Sequence, residues 1–319
     1  MRNIVYLLGG QGSQYFGMAS SLYRDNVEFR RTVDRLDAVC TGRGERSVVD
    51  YLYDSGRGLS DPCDDLALSN AAIFMVEYAL SELLRTEGLR PDVLVGSSLG
   101  EFSAMAIAGY VPAEAALGFV IEMAHLLEGR LRPGGMIAVL GDPRLYEELP
   151  VLHQHTEVAS VNHDGHFVLS GEATGLRIAT EALRDRGLIT VALPVHFAFH
   201  SSALDGLRDP ITELAASLTF DTTADPAVTR PLLISSTTTD VVKGWHPEDC
   251  WSTLRRPIAF TRALSAVPDA ARAQYVDLTP SSTLAAIMKT SHPELRTHPV
   301  ITPFGTEPAR LESLRADLL

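Results

Sequence analysis

The chain is poor in cysteine, in positive charge and in long apolar runs, and each shortage removes a class of function. Cys40, Cys63 and Cys250 are the only cysteines in 319 residues. They are odd in number and form no Cys-x-x-Cys pair, so they read as reduced thiols of a cytoplasmic protein, not as a disulfide framework. His153 and His155 stand apart from other ligand-type side chains. No metal or resident cofactor is therefore expected. No run of about 18 apolar residues is present, and Met1, Arg2 and Asn3 lead directly into a core strand, so neither a membrane span nor a signal peptide is expected. The formal net charge of −13 argues against nonspecific binding to nucleic acid or membrane.

What the sequence does have is a large apolar fraction, 45% of its residues, arranged as an alternation of short apolar runs and helical patterns. Runs at 4–8, 93–95, 136–140, 157–161, 167–169, 189–195, 232–234 and 274–278 predict strands of an α/β fold. Residues 130–191 read as a βαββαβ unit, with helices near 143–150 and 172–187 and glycines 134 and 135 at its start. The expected organisation is a large α/β-hydrolase-like domain with a parallel sheet, residues 1–129 and 192–319, and a ferredoxin-like small subdomain, residues 130–191, inserted into it. A cleft between the two would hold the site. The run Ser235 to Thr239 reads as a polar turn.

Residues 91–101 carry the strongest chemical signal. Pro91, Asp92, Val93, Leu94 and Val95 run into Gly96-x-Ser98-x-Gly100 and then a helical stretch, the pattern of a nucleophile elbow. Such a turn strains its central residue and lifts the hydroxyl of Ser98 clear of the backbone. The helix beginning near Leu99 would aim unpaired N–H groups at developing negative charge. A serine needs a base, and the extended segment 190–202 offers two, His196 and His200. An imidazole near neutrality can take the serine proton and return it to a leaving group. The third element is the loop Gly9, Gly10, Gln11, Gly12, Ser13 and Gln14 after the first strand. It has neither Gly-x-Gly-x-x-Gly nor a lysine for phosphate, and a loop offering a backbone N–H to an oxyanion fits it better.

The loop from Gly10 to Gln14, the elbow from Gly96 to Glu101, and Phe199, His200 and Ser201 together resemble the malonyl-CoA:acyl-carrier-protein transacylase family, which includes the acyltransferases of polyketide synthases. Order and spacing match over nearly the whole chain. The resemblance implies that Ser98 forms an acyl-enzyme, that His200 and not His196 is the base, and that the N–H groups of Leu99 and Gln11 form the oxyanion hole. It also places Asn162 near the site as a supporting polar residue.

Three departures from the family pattern bear on specificity. Met123 occupies the place of the arginine that binds the malonyl carboxylate, in the stretch Val120 to Leu127. A guanidinium makes a bidentate, charge-assisted pair with a carboxylate, and a thioether offers apolar surface instead. Losing that pair costs on the order of a few kcal/mol in a partly desolvated pocket, unless Arg130 or Arg132 substitutes for it. Ser97 stands where the family usually has a histidine, and Phe197 and Phe199 lie in a specificity motif that commonly opens with a polar ring. Thr253 replaces a glutamine in the segment before Pro257 that orients the histidine through its backbone.

These residues imply a freestanding member that handles uncharged acyl thioesters carried on phosphopantetheine. The leading expectation is hydrolysis of such groups from stalled acyl carrier proteins, an editing role in polyketide biosynthesis. One alternative is transfer of a non-malonyl acyl group between carriers or from CoA; another is an inactive docking protein. Carrier proteins are usually acidic, so Arg255 and Arg256 are expected to form a basic rim for them.

Overall fold

A computed structural model describes residues 3–54, 56–221 and 230–319. Five strands form a wholly parallel sheet: β1 (Ile4–Leu8), β2 (Val93–Gly96), β7 (Leu232–Ser235), β8 (Gln274–Asp277) and β9 (Arg296–Pro299), in the order β7-β2-β1-β8-β9. A parallel sheet is covered on both faces, which is why β1, β2 and β7 read as unbroken apolar runs. The strand β9 was not legible in that way. It is an edge strand closed by Pro299, and its Arg296, Thr297 and His298 need not be apolar.

A second sheet is antiparallel, built from β3 (Gly134–Leu140), β4 (Glu157–His163), β5 (His166–Glu172) and β6 (Ile189–Ala192) in the order β4-β5-β3-β6. That is the strand order of a ferredoxin-like unit. Side chains alternate across it. Ile137, Val139, Phe167 and Leu169 face one way, against Leu176, Ala179 and Leu183 of the helix Ala173–Arg184. Met136 and Val168 face the other way and join the main core. The helix expected near 143–150 is two short turns, Leu145–Glu148 and Pro150–His153, since Pro150 cannot continue the first.

Four helices position the site: α1 (Leu66–Thr86), α2 (Gly100–Ile107), α3 (Ala113–Arg130) and α4 (Pro247–Arg255). By length and composition α1 could cross a membrane, but 89% of its apolar window is buried inside the protein. It is a core helix, packed against α3. In the paired register Leu8 lies beside Gly96, so the loop after β1 and the elbow after β2 leave adjacent strands at their carboxyl ends. Ligands of open α/β sheets bind there.

Candidate active site

The Ser98 backbone is left-handed, φ 54°, and its neighbours explain how the turn is tolerated. A Cβ on Gly96 would sit 2.6 Å from the Glu101 Cα, and one on Gly100 would sit 2.3 Å from the Leu8 carbonyl. Both positions require glycine. Helix α2 starts at Gly100 with Leu99 as its cap, as the elbow pattern implies. The strained turn brings Ser98 Oγ within 2.9 Å of His200 Nε2.

His200 is itself left-handed, φ 57°, and is held at two points of one segment. Its backbone N–H donates to Leu254 O at 2.9 Å, and its Nδ1 lies 2.8 Å from Arg256 O. A carbonyl can only accept, so the proton sits on Nδ1 and Nε2 is left with a lone pair toward Ser98. The ring is 2% exposed. Burial pushes its pKa down to about 4, against the smaller opposing pull of the Arg256 carbonyl. The imidazole is neutral at physiological pH and poised to accept a proton. The rival, His196, is exposed and pairs with Asp64 at 3.2 Å.

The loop after β1 closes over the elbow. A Cβ on Gly10 would come within 3.1 Å of Leu99 N and 3.3 Å of Ser98 Cβ, so any other residue would have to push the two segments slightly apart. Among the described residues, the N–H groups of Gln11 and Leu99 have no protein acceptor. The loop is tied down by its side chains. Gln11 donates to Ser69 Oγ at 2.9 Å and to Asn70 Oδ1, Ser13 Oγ donates to Gly10 O at 2.8 Å, and Gly9 N–H donates to Glu77 Oε1 at 2.7 Å. Glu77 is fully buried, and burial raises its carboxyl to about 8.

Behind Ser98, Glu101 gathers five donors. Its Oε1 accepts from Ser235 Oγ, Ser236 Oγ, Thr237 N–H and Thr237 Oγ at 2.8 to 3.3 Å, and its Oε2 accepts from Thr253 Oγ1 at 3.2 Å. One carboxylate thus joins helix α2, the turn after β7 and helix α4, whose end holds His200. The polar run Ser235 to Thr239 is in part the ligand set of Glu101, a role that its composition did not reveal.

Ser98 and His200 open into a cavity of about 430 Å³ between the carboxyl ends of the parallel strands and the free face of the antiparallel sheet. Met123 and Leu127 from α3, Met136 and Ala138 from β3, Val168, Leu193 and Phe199 form one wall. Met123 is 1% exposed. Ser97, Leu99, Gln11 and Asn162 also line the cavity. Among the described residues, no lysine, arginine, aspartate or glutamate does. Arg130 and Arg132 are exposed and away from it, with Arg132 beside Glu172 at 3.6 Å, so neither stands in for the missing guanidinium.

Two expectations need correction. Phe197 does not line the cavity; it packs edge-on against Phe199, ring centroids 6.1 Å apart, and supports the wall from behind. Arg255 is not a free cation, because Asp205 and Glu157 both pair with it. Arg256 is exposed and has no ion-pair partner among the described residues, although its carbonyl is committed to His200. His163 and His166 line the cavity and were not singled out beforehand. They flank Asp164 and Gly165, a hairpin turn signal that puts both at strand ends.

Comparison with known proteins agrees with the geometry. The acyl transferase domain family matches residues 5–306. The polyketide biosynthesis acyltransferase homolog BaeD of Bacillus velezensis is 38% identical over 99% of this chain and 97% of its own length. The homolog PksD of Bacillus subtilis is 35% identical over 98% of this chain and 95% of its own. Among solved structures, the acyl transferase domain of SpnD, in complex with 2-(pent-4-yn-1-yl)malonyl, superposes with a TM-score of 0.85 at 26% identity, over 99% of this chain and 76% of that one. The fold is shared as well with MCAT from Streptococcus pneumoniae, TM-score 0.81 at 23% identity over 99% of this chain and 100% of that one. A parallel-sheet α/β protein with an elbow serine, matched along nearly its whole length, this chain belongs to the acyl transferase domain family and groups with the polyketide biosynthesis acyltransferases.

Proposed function

We propose that this acyltransferase-family protein takes uncharged acyl groups from the phosphopantetheine of an acyl carrier protein onto Ser98 and releases them to water, an editing hydrolase of polyketide assembly. The observation that carries the reading is the wall of the cavity. Among the described residues it has no lysine or arginine, and Met123 lies where a carboxylate-binding arginine is expected. A buried carboxylate there would go uncompensated, while each buried CH₂ of an acyl chain gains about 0.8 kcal/mol.

In this reading His200 Nε2 takes the Ser98 proton as Oγ attacks the thioester carbonyl carbon. The oxyanion is held by the Leu99 and Gln11 N–H groups. The carbon–sulfur bond then breaks, and the proton passes from His200 to the departing thiol. Water enters next, gives a proton to His200 and attacks the ester, and Ser98 recovers its proton as the free acid leaves. A second carrier thiol in place of that water gives the transferase reading. No cofactor takes part beyond the substrate's own phosphopantetheine. The three cysteines are buried and free, which supports a cytoplasmic setting. Arg256 remains the better candidate of the two arginines for touching an acidic carrier.

The test is incubation with acyl carrier proteins bearing acetyl, propionyl, butyryl and malonyl groups, followed by intact-protein mass spectrometry. Free acid with loss of the carrier's acyl mass supports hydrolysis. Acyl mass appearing on a second carrier supports transfer, and carriers that all keep their acyl mass beside an unmodified Ser98 support the docking-protein reading.

A further inference from the structure

The β4–β5 hairpin contributes a chain of polar side chains to the cavity wall. Ser160 Oγ donates to Asn162 Oδ1 at 2.8 Å, and Asn162 Nδ2 lies 2.8 Å from His166 Nδ1. With its Oδ1 oriented toward the serine hydroxyl, Asn162 turns its amide N–H groups to the ring, so Nδ1 of His166 is the acceptor. A neutral imidazole with Nδ1 accepting carries its proton on Nε2. Burial and the neighbouring His163, stacked at 5.6 Å, both lower the pKa of His166 and favour that neutral form. Nε2 has no acceptor among the described residues.

Most other polar side chains of the wall are engaged, the exceptions being Ser97 Oγ and Nε2 of His163. Gln11 and Asn70 bond to each other, Ser13 to Gly10 O, Thr279 to Asp277, Thr283 to Ser281, and Ser98 to His200. In such a cavity the unpaired half-buried N–H of His166, fixed in place by Asn162, is a place for an acceptor on the ligand. The thioester oxygen is not that acceptor if the Leu99 and Gln11 N–H groups take it. Of the remaining acceptors of a phosphopantetheine thioester, the two amide carbonyls of its arm are the strongest apart from the phosphate, and the arm's hydroxyl is a weaker one.

We propose that His166, set by Ser160 and Asn162, is a specificity residue that donates a hydrogen bond from Nε2 to an amide carbonyl of the pantetheine arm. It thereby distinguishes pantetheine thioesters from thioesters that lack amides. This inference rests on the acyl-enzyme reading of Ser98. His163, whose Nδ1 accepts from Gly165 N–H at 3.1 Å, is its stacking partner.

The experiment measures acylation of Ser98 in the full chain by acetyl-pantetheine and by S-phenyl thioacetate, which has no amide. His166→Phe keeps the ring and the stack but removes the donor. His166→Gln restores an N–H near the position of Nε2. The expected result is a three- to tenfold rise in KM for acetyl-pantetheine in His166→Phe, about the value of one neutral hydrogen bond. S-phenyl thioacetate should be unaffected, and His166→Gln should recover at least half of the loss. Equal losses on both substrates point to a distorted cavity and overturn the assignment, as does an unchanged KM for acetyl-pantetheine. If wild-type Ser98 is acylated by neither substrate, the acyl-enzyme reading fails first and takes this one with it. Acylation by S-phenyl thioacetate alone leaves that reading intact and removes only the arm contact.

Discussion

The floor of the cavity around Ser98 is polar and tied at many points, while the part of the wall opposite formed by α3, β3 and Val168 is hydrocarbon, with the polar side chains of the β4–β5 hairpin beside it. Glu77 fixes the loop after β1, Glu101 fixes the elbow helix to the segment that holds His200, and two backbone carbonyls fix His200 itself. Across the space, the side chains of Met123, Leu127, Met136 and Val168 carry neither a charge nor a hydrogen-bond donor, so they offer a ligand shape and apolar surface. Under the proposed function, the division puts attack on a carbonyl and choice of acyl group in different layers of the fold. Each can then be altered without the other, and the expected effects differ in size accordingly.

The floor should be the more fragile. Ser98→Ala is expected to abolish acyl-enzyme formation altogether, read as loss of the mass adduct. His200→Ala should slow acylation by about 10²–10⁴-fold, the usual cost of losing a general base. His196→Ala, remote from Ser98 and paired with Asp64, should leave the rate near wild type. A crippled His196→Ala beside a mild His200→Ala would reverse the assignment.

The pH profile follows from burial of the base. The neutral form of His200 accepts the proton, and burial lowers its pKa from 6.5 to about 4. Acylation should therefore stay nearly level from pH 7 to pH 5, reach about half its plateau near pH 4 and fall about tenfold per unit of pH well below that. An inflection near 6.5 would mean that the ring is wetter than its surroundings suggest.

Changes in the wall should be smaller and selective. Met123→Arg should shift the acetyl-to-malonyl preference toward malonyl by about tenfold, as a charge-assisted pair becomes available, without matching a malonyl enzyme because Ser97 also departs from that pattern. Outside the cavity, Arg256→Glu should raise the KM for a carrier-borne substrate by no more than about fivefold, an effect that weakens with added salt. An effect of Arg256→Glu larger than that of Met123→Arg would place specificity at the rim and not in the wall.

The sequence made the floor more legible than the wall. Gly96, Ser98 and Gly100 announce a turn that backbone sterics allow in few other ways, and the run before them announces a buried parallel strand. The wall is assembled from single residues of α3, β3, β5 and the segment before His200, and no spacing along the chain brings Met123 next to Met136. The resemblance to a family supplied Met123. It did not separate Phe199, which lines the cavity, from Phe197, which supports it from behind. Glu77 and Asn70 lie inside an apolar helical run where a buried polar residue asks for a partner, and that signal went unread. Arg255 and Arg256 look alike in sequence. Only the fold shows that Asp205 and Glu157 neutralise the first and leave the second exposed.

The claim that an uncharged wall selects the acyl group is tested most directly by one ratio. Wild-type protein is mixed with acetyl and malonyl thioesters of the same carrier protein, and the second-order rate constants for acylation of Ser98 are read by intact-protein mass spectrometry. The expected ratio favours acetyl by about 10²-fold, the consequence of a few kcal/mol for an unpaired carboxylate. Acylation by malonyl as fast as by acetyl would contradict the account of the wall and leave the pairing of Ser98 with His200 standing.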